Sequence, residues 1–185
     1  EIQLEFQGLN FRSSHHGDYN LTNIAASIAF GVIFKVNLID IQNAIAECES
    51  ENNRSQKLNI GNVEYVLDAY NANPSSMQAA LKAFSKNKSN SKTVILGDML
   101  ELGTYSKEEH ENILKLCLEY KFNNIFTIGN HFNSTSIEAN EIIKFERMEM
   151  FKKYLKKYSV LLDYVLIKGS RSLELEGLIP FFKSK

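Results

Sequence analysis

Polar side chains that could bind a charged small molecule follow a short, mostly apolar run in this sequence. Asp68, Tyr70, Asn71 and Asn73 come directly after residues 63–67 and before residues with helical spacing. A carboxylate, a phenol and two amides are more polar groups than a simple turn requires. Because open α/β sheets bind ligands where a strand ends and a helix begins, this stretch predicts a binding site for a polar, charged molecule.

Three further polar groups follow other apolar runs: Gly97-Asp98 with Glu101, Gly129-Asn130-His131, and Lys168-Gly169-Ser170-Arg171. The acids of the first group could face a cationic amine or a metal. The third group combines two cations with a glycine, which lets the backbone approach a ligand, and with a helix predicted to begin near Ser172. A helix N-terminus beside cations predicts an anion site for carboxylate or phosphate. Plain strand–helix connections and solvated bases remain alternative explanations.

The elements that position these groups alternate between strand and helix. Apolar runs predict strands at 64–67, 93–96, 124–128 and 164–167, a short apolar piece at 142–145, and helices at 74–84, 107–120, 149–158 and from about 172. This alternation predicts the α/β class, with a mostly parallel sheet covered by helices on both faces. The carboxyl ends of parallel strands share one edge, so we expect the four polar groups to line one crevice.

Two helix starts have capping signals. Asn73 followed by Pro74 is typical of an N-cap and a first helical residue. Ser106 with Glu109 has the spacing of a capping box. His110, one turn into that helix, is expected to be a surface or core histidine rather than a catalytic one. The pair His15-His16 is expected to be a solvated turn, because no third zinc ligand lies at the required spacing.

The first 56 residues have a different pattern. Residues 1–12 alternate like a hairpin around Gly8, and a helix from Asn20 should bury Ile24, Ile28, Val32 and Ile33 on one face. A second helix is predicted at 39–48, on Ile41, Ala44, Ile45 and Cys48, and the polar residues 47–57 are interpreted as a linker. We therefore predict two domains, 1–56 and 57–185.

Composition excludes several classes of function. The 185 residues carry 21 Lys and Arg against 22 Asp and Glu, a net charge of −1, which gives no basic field for nucleic acid. No apolar run approaches the roughly 20 residues that cross a bilayer, and both cysteines are predicted to be buried, reduced thiols. We expect a cytoplasmic monomer. The start in mid-strand without Met predicts a piece of a longer chain. Phosphate-loop, dinucleotide-fingerprint, Cys-x-x-Cys and nucleophile-elbow motifs are absent.

Four ordered motifs resemble the Mur ligase family, and within it the member that adds D-alanyl-D-alanine. They are Gly17–Ala26, Asp68–Met77, Leu96–Gly103 followed by Ser106 and His110, and Lys168–Ser172. The resemblance implies the tail of a central ATPase domain followed by a Rossmann-like C-terminal domain. It also implies ATP-dependent amide formation, in which the carboxylate of UDP-MurNAc-tripeptide is phosphorylated and then attacked by the amine of D-Ala-D-Ala.

The resemblance also implies roles for individual residues. Asn20 and Asn23 would recognise adenine, Asp68 the ribose hydroxyls and Arg54 the ATP phosphates, while Tyr70, Asn71 and Asn73 would lie at the cleft between the domains. Asp98, Glu101, Lys168, Ser170 and Arg171 would bind the dipeptide and the acyl phosphate. No general base is evident, and most ligands of the Mg²⁺ that accompanies ATP would lie outside this sequence.

The sequence departs from the family pattern at two places. Tyr19 stands where many relatives have His, and Asn52-Asn53-Arg54-Ser55 replaces the commoner Pro-Gly-Arg. Because the phosphate loop and the UDP-binding domain are missing, we expect this chain alone not to turn over. A sister ligase that adds another amino acid, or a nucleotide-binding α/β module without catalysis, remain alternatives.

Overall fold

A computed structural model describes residues 2–13, 19–48 and 55–183 of the chain. The chain divides into two compact units, Glu1–Glu51 and Asn52–Lys185. Arg54 and the pair His15-His16 lie outside the described residues. The predicted division near residue 56 stays a prediction.

The first unit begins with the predicted hairpin, which is confirmed. Strands β1 (Ile2–Phe6) and β2 (Leu9–Ser13) pair antiparallel with Phe6 opposite Leu9. Gln7 and Gly8 form the two-residue turn, and both have positive φ angles, 48° and 79°. Two consecutive residues with positive φ match the twist of the flanking strands, which explains the glycine at this position.

Helices α1 (Tyr19–Ile33) and α2 (Leu38–Glu47) complete the first unit, and five side chains form its core: Phe11, Ile24, Ile28, Ile41 and Ile45. The prediction that Val32 and Ile33 share the buried face of α1 is wrong, since Ile33 is 69% exposed. Gly31 supplies the contact instead, because a Cβ there would lie 2.5 Å from Ile41 Cδ1.

The C-terminal end of α2 also differs from the prediction. Ala44 is exposed, and so is Cys48. The helix ends at Glu47, and Cys48 follows in an extended conformation with φ −68° and ψ 105°. The thiol therefore leaves the helical face on which the spacing had placed it.

Within the described residues, the second unit has a six-stranded sheet in the order β3-β4-β8-β5-β6-β7. Its strands are β3 (Gln56–Ile60), β4 (Val63–Asp68), β5 (Lys92–Gly97), β6 (Asn124–Ile128), β7 (Ile142–Phe145) and β8 (Tyr164–Lys168). Only β3, at one edge, runs antiparallel to its neighbour. The predicted fold class is confirmed, but the predicted linker is wrong at its end, because Gln56 and Lys57 already belong to β3.

Helices cover both faces of this sheet, as predicted. They are α3 (Pro74–Ser85), α4 (Ser106–Glu119), α5 (Asn130–Asn133), α6 (Met148–Lys157) and α7 (Leu178–Lys183). Val94 and Leu96 of β5 pack with α3 and α4, whereas Ile95 packs with α6 and α7. This burial on both faces explains why the central strands read as continuous apolar runs. Among the described helices, none is both long enough and apolar enough to cross a membrane.

The two capping signals have different outcomes. The cap of α3 is confirmed: Asn73 Oδ1 accepts the Ser76 N–H at 2.8 Å, and Ser76 Oγ accepts the Asn73 N–H at 3.1 Å. The box predicted at Ser106 is wrong. A single 3₁₀ turn (Gly103–Tyr105) leads directly into α4, so Ser106 already has helical angles and its hydroxyl contacts histidines instead.

The last helix also starts later than predicted. Two 3₁₀ turns, Arg171–Leu173 and Leu175–Gly177, precede α7. Glu174 between them has a positive φ of 48°, which a continuous right-handed helix does not allow. No α-helix N-terminus therefore follows Ser170 directly.

Candidate functional site

The carboxyl ends of four parallel strands lie side by side at one edge of the sheet, as the sequence predicts. Asp68 at the end of β4 lies opposite Lys168 of β8. The Ser170 N–H after β8 donates to the Asp98 carbonyl after β5 at 3.1 Å. The Asp98 N–H in turn donates to the Ile128 carbonyl of β6 at 3.1 Å. Backbone hydrogen bonds thus extend the sheet one step into the polar groups.

A buried ion pair joins the ends of β4 and β8. Lys168 Nζ lies 2.6 Å from Asp68 Oδ2 and donates to the Asn71 carbonyl at 3.0 Å. The side chains are 3% and 16% exposed. The second oxygen of Asp68 accepts the Ser55 N–H at 3.1 Å. The ammonium of Lys168, predicted to meet a ligand, is therefore occupied by Asp68 and by the turn that follows it.

The turn between β4 and α3 presents two of the predicted side chains to solvent. Tyr70 is 42% exposed and Asn71 is exposed, while Ala69 and Ala72 anchor the turn in the core. The side-chain oxygen of Asn71 accepts the Ala72 N–H at 2.8 Å. Asn73 contributes its side chain to the cap of α3. Tyr70 and Asn71 are therefore exposed and are not used by the cap of α3.

The carboxylate of Asp98 is not an open acid at the edge of the sheet. It is 4% exposed, and its two oxygens accept the N–H groups of His131 and Phe132, each at 2.9 Å. Short helix α5 starts directly after β6, and a carboxylate satisfies its free N–H groups. Gly129 makes this possible, because a Cβ there would lie 2.2 Å from Asp98 Cγ. Both oxygens of Asp98 are thus engaged by α5 in this structure, and its contact with an amine or a metal stays a prediction.

His110 of α4 is fully buried and uses both ring nitrogens. Nε2 accepts the Met99 N–H at 3.0 Å, and Nδ1 lies 2.6 Å from the Ser106 carbonyl. A carbonyl only accepts and an amide N–H only donates, so the proton is on Nδ1 and the ring is neutral. Burial lowers the pKa of His110, although the Ser106 carbonyl and the carboxylate of Asp98 act in the opposite direction.

Two other groups surround His110. Its ring stacks on His131, with centroids 5.5 Å apart, and meets Phe132 edge-on at 4.5 Å. Ser106 Oγ lies 3.1 Å from His131 Nδ1. The sequence motif contains His110 and Ser106, but nothing in their spacing indicates a contact with His131, which lies 25 positions after Ser106.

The group after β8 is held mainly by packing and by its own ion pair. Gly97 and Gly169 touch, since a Cβ on Gly169 would lie 2.9 Å from Gly97 Cα and 2.7 Å from Leu175 Cδ1. Arg171 is paired with Glu176. Leu175 lies against Gly169 where a ligand was expected, and a short 3₁₀ turn rather than an α-helix follows Ser170. The predicted anion site has no α-helix dipole behind it and stays a prediction.

Glu101 lies exposed in the loop between β5 and α4, with a positive φ of 63°. Ser170 is 8% exposed. In the first unit, Asn20 and Asn23 share the first turns of α1, where Asn23 Nδ2 donates to Asn20 Oδ1 at 3.2 Å. Across the described ranges, no group of three or more His, Cys, Asp or Glu side chains could hold a metal ion.

These features define an α/β domain with a parallel core sheet and polar groups at its carboxyl edge, preceded by a smaller α/β unit. Residues 53–171 match the family model described as Mur ligase, glutamate ligase domain. The chain belongs to the Mur ligase family, as its motifs predict.

Curated relatives carry the name UDP-N-acetylmuramoyl-tripeptide–D-alanyl-D-alanine ligase. The protein from Treponema pallidum is 30% identical over 190 residues, covering 97% of this chain and 40% of the relative. The one from Rickettsia prowazekii is 29% identical over 142 residues, covering 75% of this chain and 32% of the relative. The chain thus spans about a third to two fifths of the length of these relatives.

Solved structures show the same fold. A UDP-N-acetylmuramoylalanyl-D-glutamyl-2,6-diaminopimelate–D-alanyl-D-alanyl ligase from Acinetobacter baumannii superposes with a TM-score of 0.85 at 25% identity, covering 99% of this chain and 41% of that one. MurF from Thermotoga maritima, solved in complex with ADP, has a TM-score of 0.76 at 23% identity, covering 100% of this chain and 45% of that one.

Proposed function

We propose that this chain is the C-terminal part of a cytoplasmic, monomeric ligase that joins D-Ala-D-Ala to UDP-MurNAc-tripeptide at the expense of ATP. The observation that carries the proposal is the match to a ligase of that name over 97% of the chain. In this proposal residues 1–56 are the tail of the central ATPase domain, and residues 57–185 are the C-terminal domain.

The proposed reaction is a phosphoryl transfer followed by an acyl transfer. The γ-phosphoryl group of ATP moves to the terminal carboxylate of the tripeptide, giving an acyl phosphate and ADP. The amine of D-Ala-D-Ala, after losing a proton, attacks the acyl carbon and phosphate leaves. Most ligands of the Mg²⁺ that accompanies ATP would belong to a part of the ligase outside this sequence.

The nucleotide would lie along the β4 end of the edge. Asp68 keeps acceptor capacity beyond its two present partners, since a carboxylate has about four lone-pair sites, so it can receive ribose hydroxyls. Exposed Tyr70 and Asn71 lie next to it. In the first unit the amides of Asn20 and Asn23 would recognise adenine, and Arg54, outside the described residues, would reach the phosphates.

The dipeptide would lie towards the β5 and β8 ends. Arg171 is the exposed cation of this group, and its guanidinium fork suits a carboxylate if it exchanges Glu176 for the ligand. Exposed Glu101 would face the ammonium group. Lys168 and Asp98 would then support the site, one by neutralising Asp68 and the other by capping α5.

The test is phosphate release with defined amino-acid acceptors. The full-length gene product containing this chain should release phosphate from ATP with UDP-MurNAc-tripeptide and D-Ala-D-Ala, and not when meso-diaminopimelate or L-Lys replaces the dipeptide. The isolated 185-residue chain should release none. Turnover with another amino acid would make it a sister ligase, and nucleotide binding without any turnover of the full-length protein would favour a non-catalytic module.

One pair of variants separates charge from fork geometry at Arg171. Arg171→Lys keeps the charge but loses bidentate binding, and Arg171→Gln keeps neither. In the full-length protein we expect the KM for D-Ala-D-Ala to rise in both, more in the second, with little change in the KM for ATP. An unchanged KM for the dipeptide in Arg171→Gln would contradict the role of Arg171.

A further inference from the structure

The loop between β5 and α4 has an unusual backbone for its sequence. Glu101 has φ 63° and Gly103 has φ 54°. A glycine takes this conformation freely, whereas a glutamate pays for it sterically. Such a conformation persists only where the surrounding structure determines it strongly. The loop also exposes Glu101, Thr104 and Tyr105, while Met99 at its start is fully buried.

His110 connects the two ends of this loop. Its Nε2 accepts the N–H of Met99, the first residue of the loop, and its Nδ1–H donates to the carbonyl of Ser106, the residue that follows the loop. The hydrogen bond to Ser106 fixes the ring orientation and the position of the proton, so that Nε2 is left as an acceptor aimed at Met99. The ring is fully buried, and no water can replace it without opening the core.

We propose that His110 is a positioning residue, which holds the loop of residues 99–105 and thereby sets the orientation of Glu101 towards the amine of the incoming dipeptide. The role rests on the proposed ligase function. His110 itself does not reach solvent, so it acts through the loop that it holds. Asp98 contributes from the other side by tying the same strand end to α5.

Charged and titratable groups around the ring fit this role. Asp98 Oδ1, at the end of β5, lies 3.7 Å from His110 Nε2, beyond hydrogen-bond distance, and is already bonded to α5. His131 of α5 and Glu109 of α4 also act on the ring electrostatically. Nε2 stays available for the Met99 N–H, because burial outweighs the attraction of the Asp98 carboxylate and keeps the ring neutral.

Two substitutions that differ by one methylene test the proposal in the full-length protein. His110→Gln places an amide oxygen where Nε2 was, so the Met99 N–H keeps an acceptor. His110→Asn is too short to reach it and leaves that N–H buried without a partner. We expect His110→Asn to raise the KM for D-Ala-D-Ala by about tenfold, with the KM for ATP unchanged, and His110→Gln to restore most of the difference.

A general loss of folding would instead lower kcat through the active fraction and leave both KM values unchanged. That result, or an unchanged KM for the dipeptide in His110→Asn, would overturn the proposal. Should the unmodified full-length protein release no phosphate with D-Ala-D-Ala, the proposed ligase function fails, and the role of His110 in the loop is decided by measurements on the isolated chain.

The isolated chain provides that separate measurement. In ¹⁵N-labelled protein at neutral pH, His110 should be the neutral form protonated on Nδ1, and amide exchange of residues 99–105 should be faster in His110→Asn than in His110→Gln. A ring protonated on Nε2, or equal exchange in the two variants, would overturn the positioning role whatever the protein catalyses.

Discussion

Replacing Lys168 with methionine tests how much the ion pair at the carboxyl edge contributes to the stability of the second unit. Methionine keeps most of the apolar stem, so the main loss is the ammonium, 2.6 Å from Asp68 Oδ2 and 3.0 Å from the Asn71 carbonyl. Breaking a buried ion pair from one side costs about 3–5 kcal/mol, because the remaining charge stays buried. Asp68 is 16% exposed and keeps the Ser55 N–H, which favours the lower end, about 3 kcal/mol.

The measurement is urea unfolding, monitored by hydrogen exchange in peptides from β4 and β8. These peptides report on the second unit alone. Lys92→Met is the matched control, since Lys92 Nζ donates to the carbonyls of Ser85 and Asn87 and has no carboxylate partner there. We expect about 1 kcal/mol for this control. The double variant Asp68→Asn with Lys168→Met should be less destabilised than the sum of its two single variants, since both charges are removed together.

A loss below about 1 kcal/mol for Lys168→Met, equal to that of the control, would refute the reasoning. Strict additivity of the two single variants would refute it as well, since it would mean that the two charges do not interact.

Three further outcomes follow from the structure. Gly129→Ala should destabilise the second unit by about 2–4 kcal/mol in urea unfolding, because the new Cβ would overlap the carboxylate that caps α5. The control is Gly61→Ala, which has a positive φ but open space around it and should cost about 1 kcal/mol. Equal losses of stability in the two variants would contradict this explanation. Burial lowers the pKa of His110 from its usual 6.5, so the stability that the neutral ring contributes is complete above about pH 6.5 and is lost as pH falls below it. His110→Gln should remove that part of the pH dependence of the unfolding free energy. An unchanged dependence on pH in this variant would contradict the explanation. Cys48 is exposed, whereas Cys117 is buried and burial raises the pKa of its thiol. A disulfide reagent should therefore modify Cys48 in the native chain and Cys117 only after unfolding. Peptide mass spectrometry of the native and the unfolded chain checks this.

The sequence was sufficient to predict the alternation of strands and helices, because the central strands are buried on both faces. Ile95 and Val165 show no exposure, so their strands read as unbroken apolar runs. Strand β3 has a weak pattern, since Lys57 and Asn59 are exposed at the edge of the sheet. Helix α5 has four residues, too few for a periodic pattern.

The candidate site was predictable in position but not in its internal contacts. The sequence indicates which residues follow each strand, and parallel pairing brings them to one edge. Which of them bind each other depends on residues far apart in the chain: Lys168 and Asp68 are separated by 100 positions, and the carboxylate of Asp98 is taken by α5. Spacing along the sequence contains no signal for either contact.

The order of strands has a consequence for the synthesis of this protein. Strand β8, the last of the described strands in chain order, lies between β4 and β5, and all five of its residues are buried. Until residues 164–168 have left the ribosome, β4 and β5 have no partner on their facing edges, and the nascent chain holds two half-sheets with open apolar edges. Such edges invite pairing with other chains. The second unit should therefore depend on the insertion of β8 after its two neighbours have been synthesised, and chains truncated before residue 164 should aggregate.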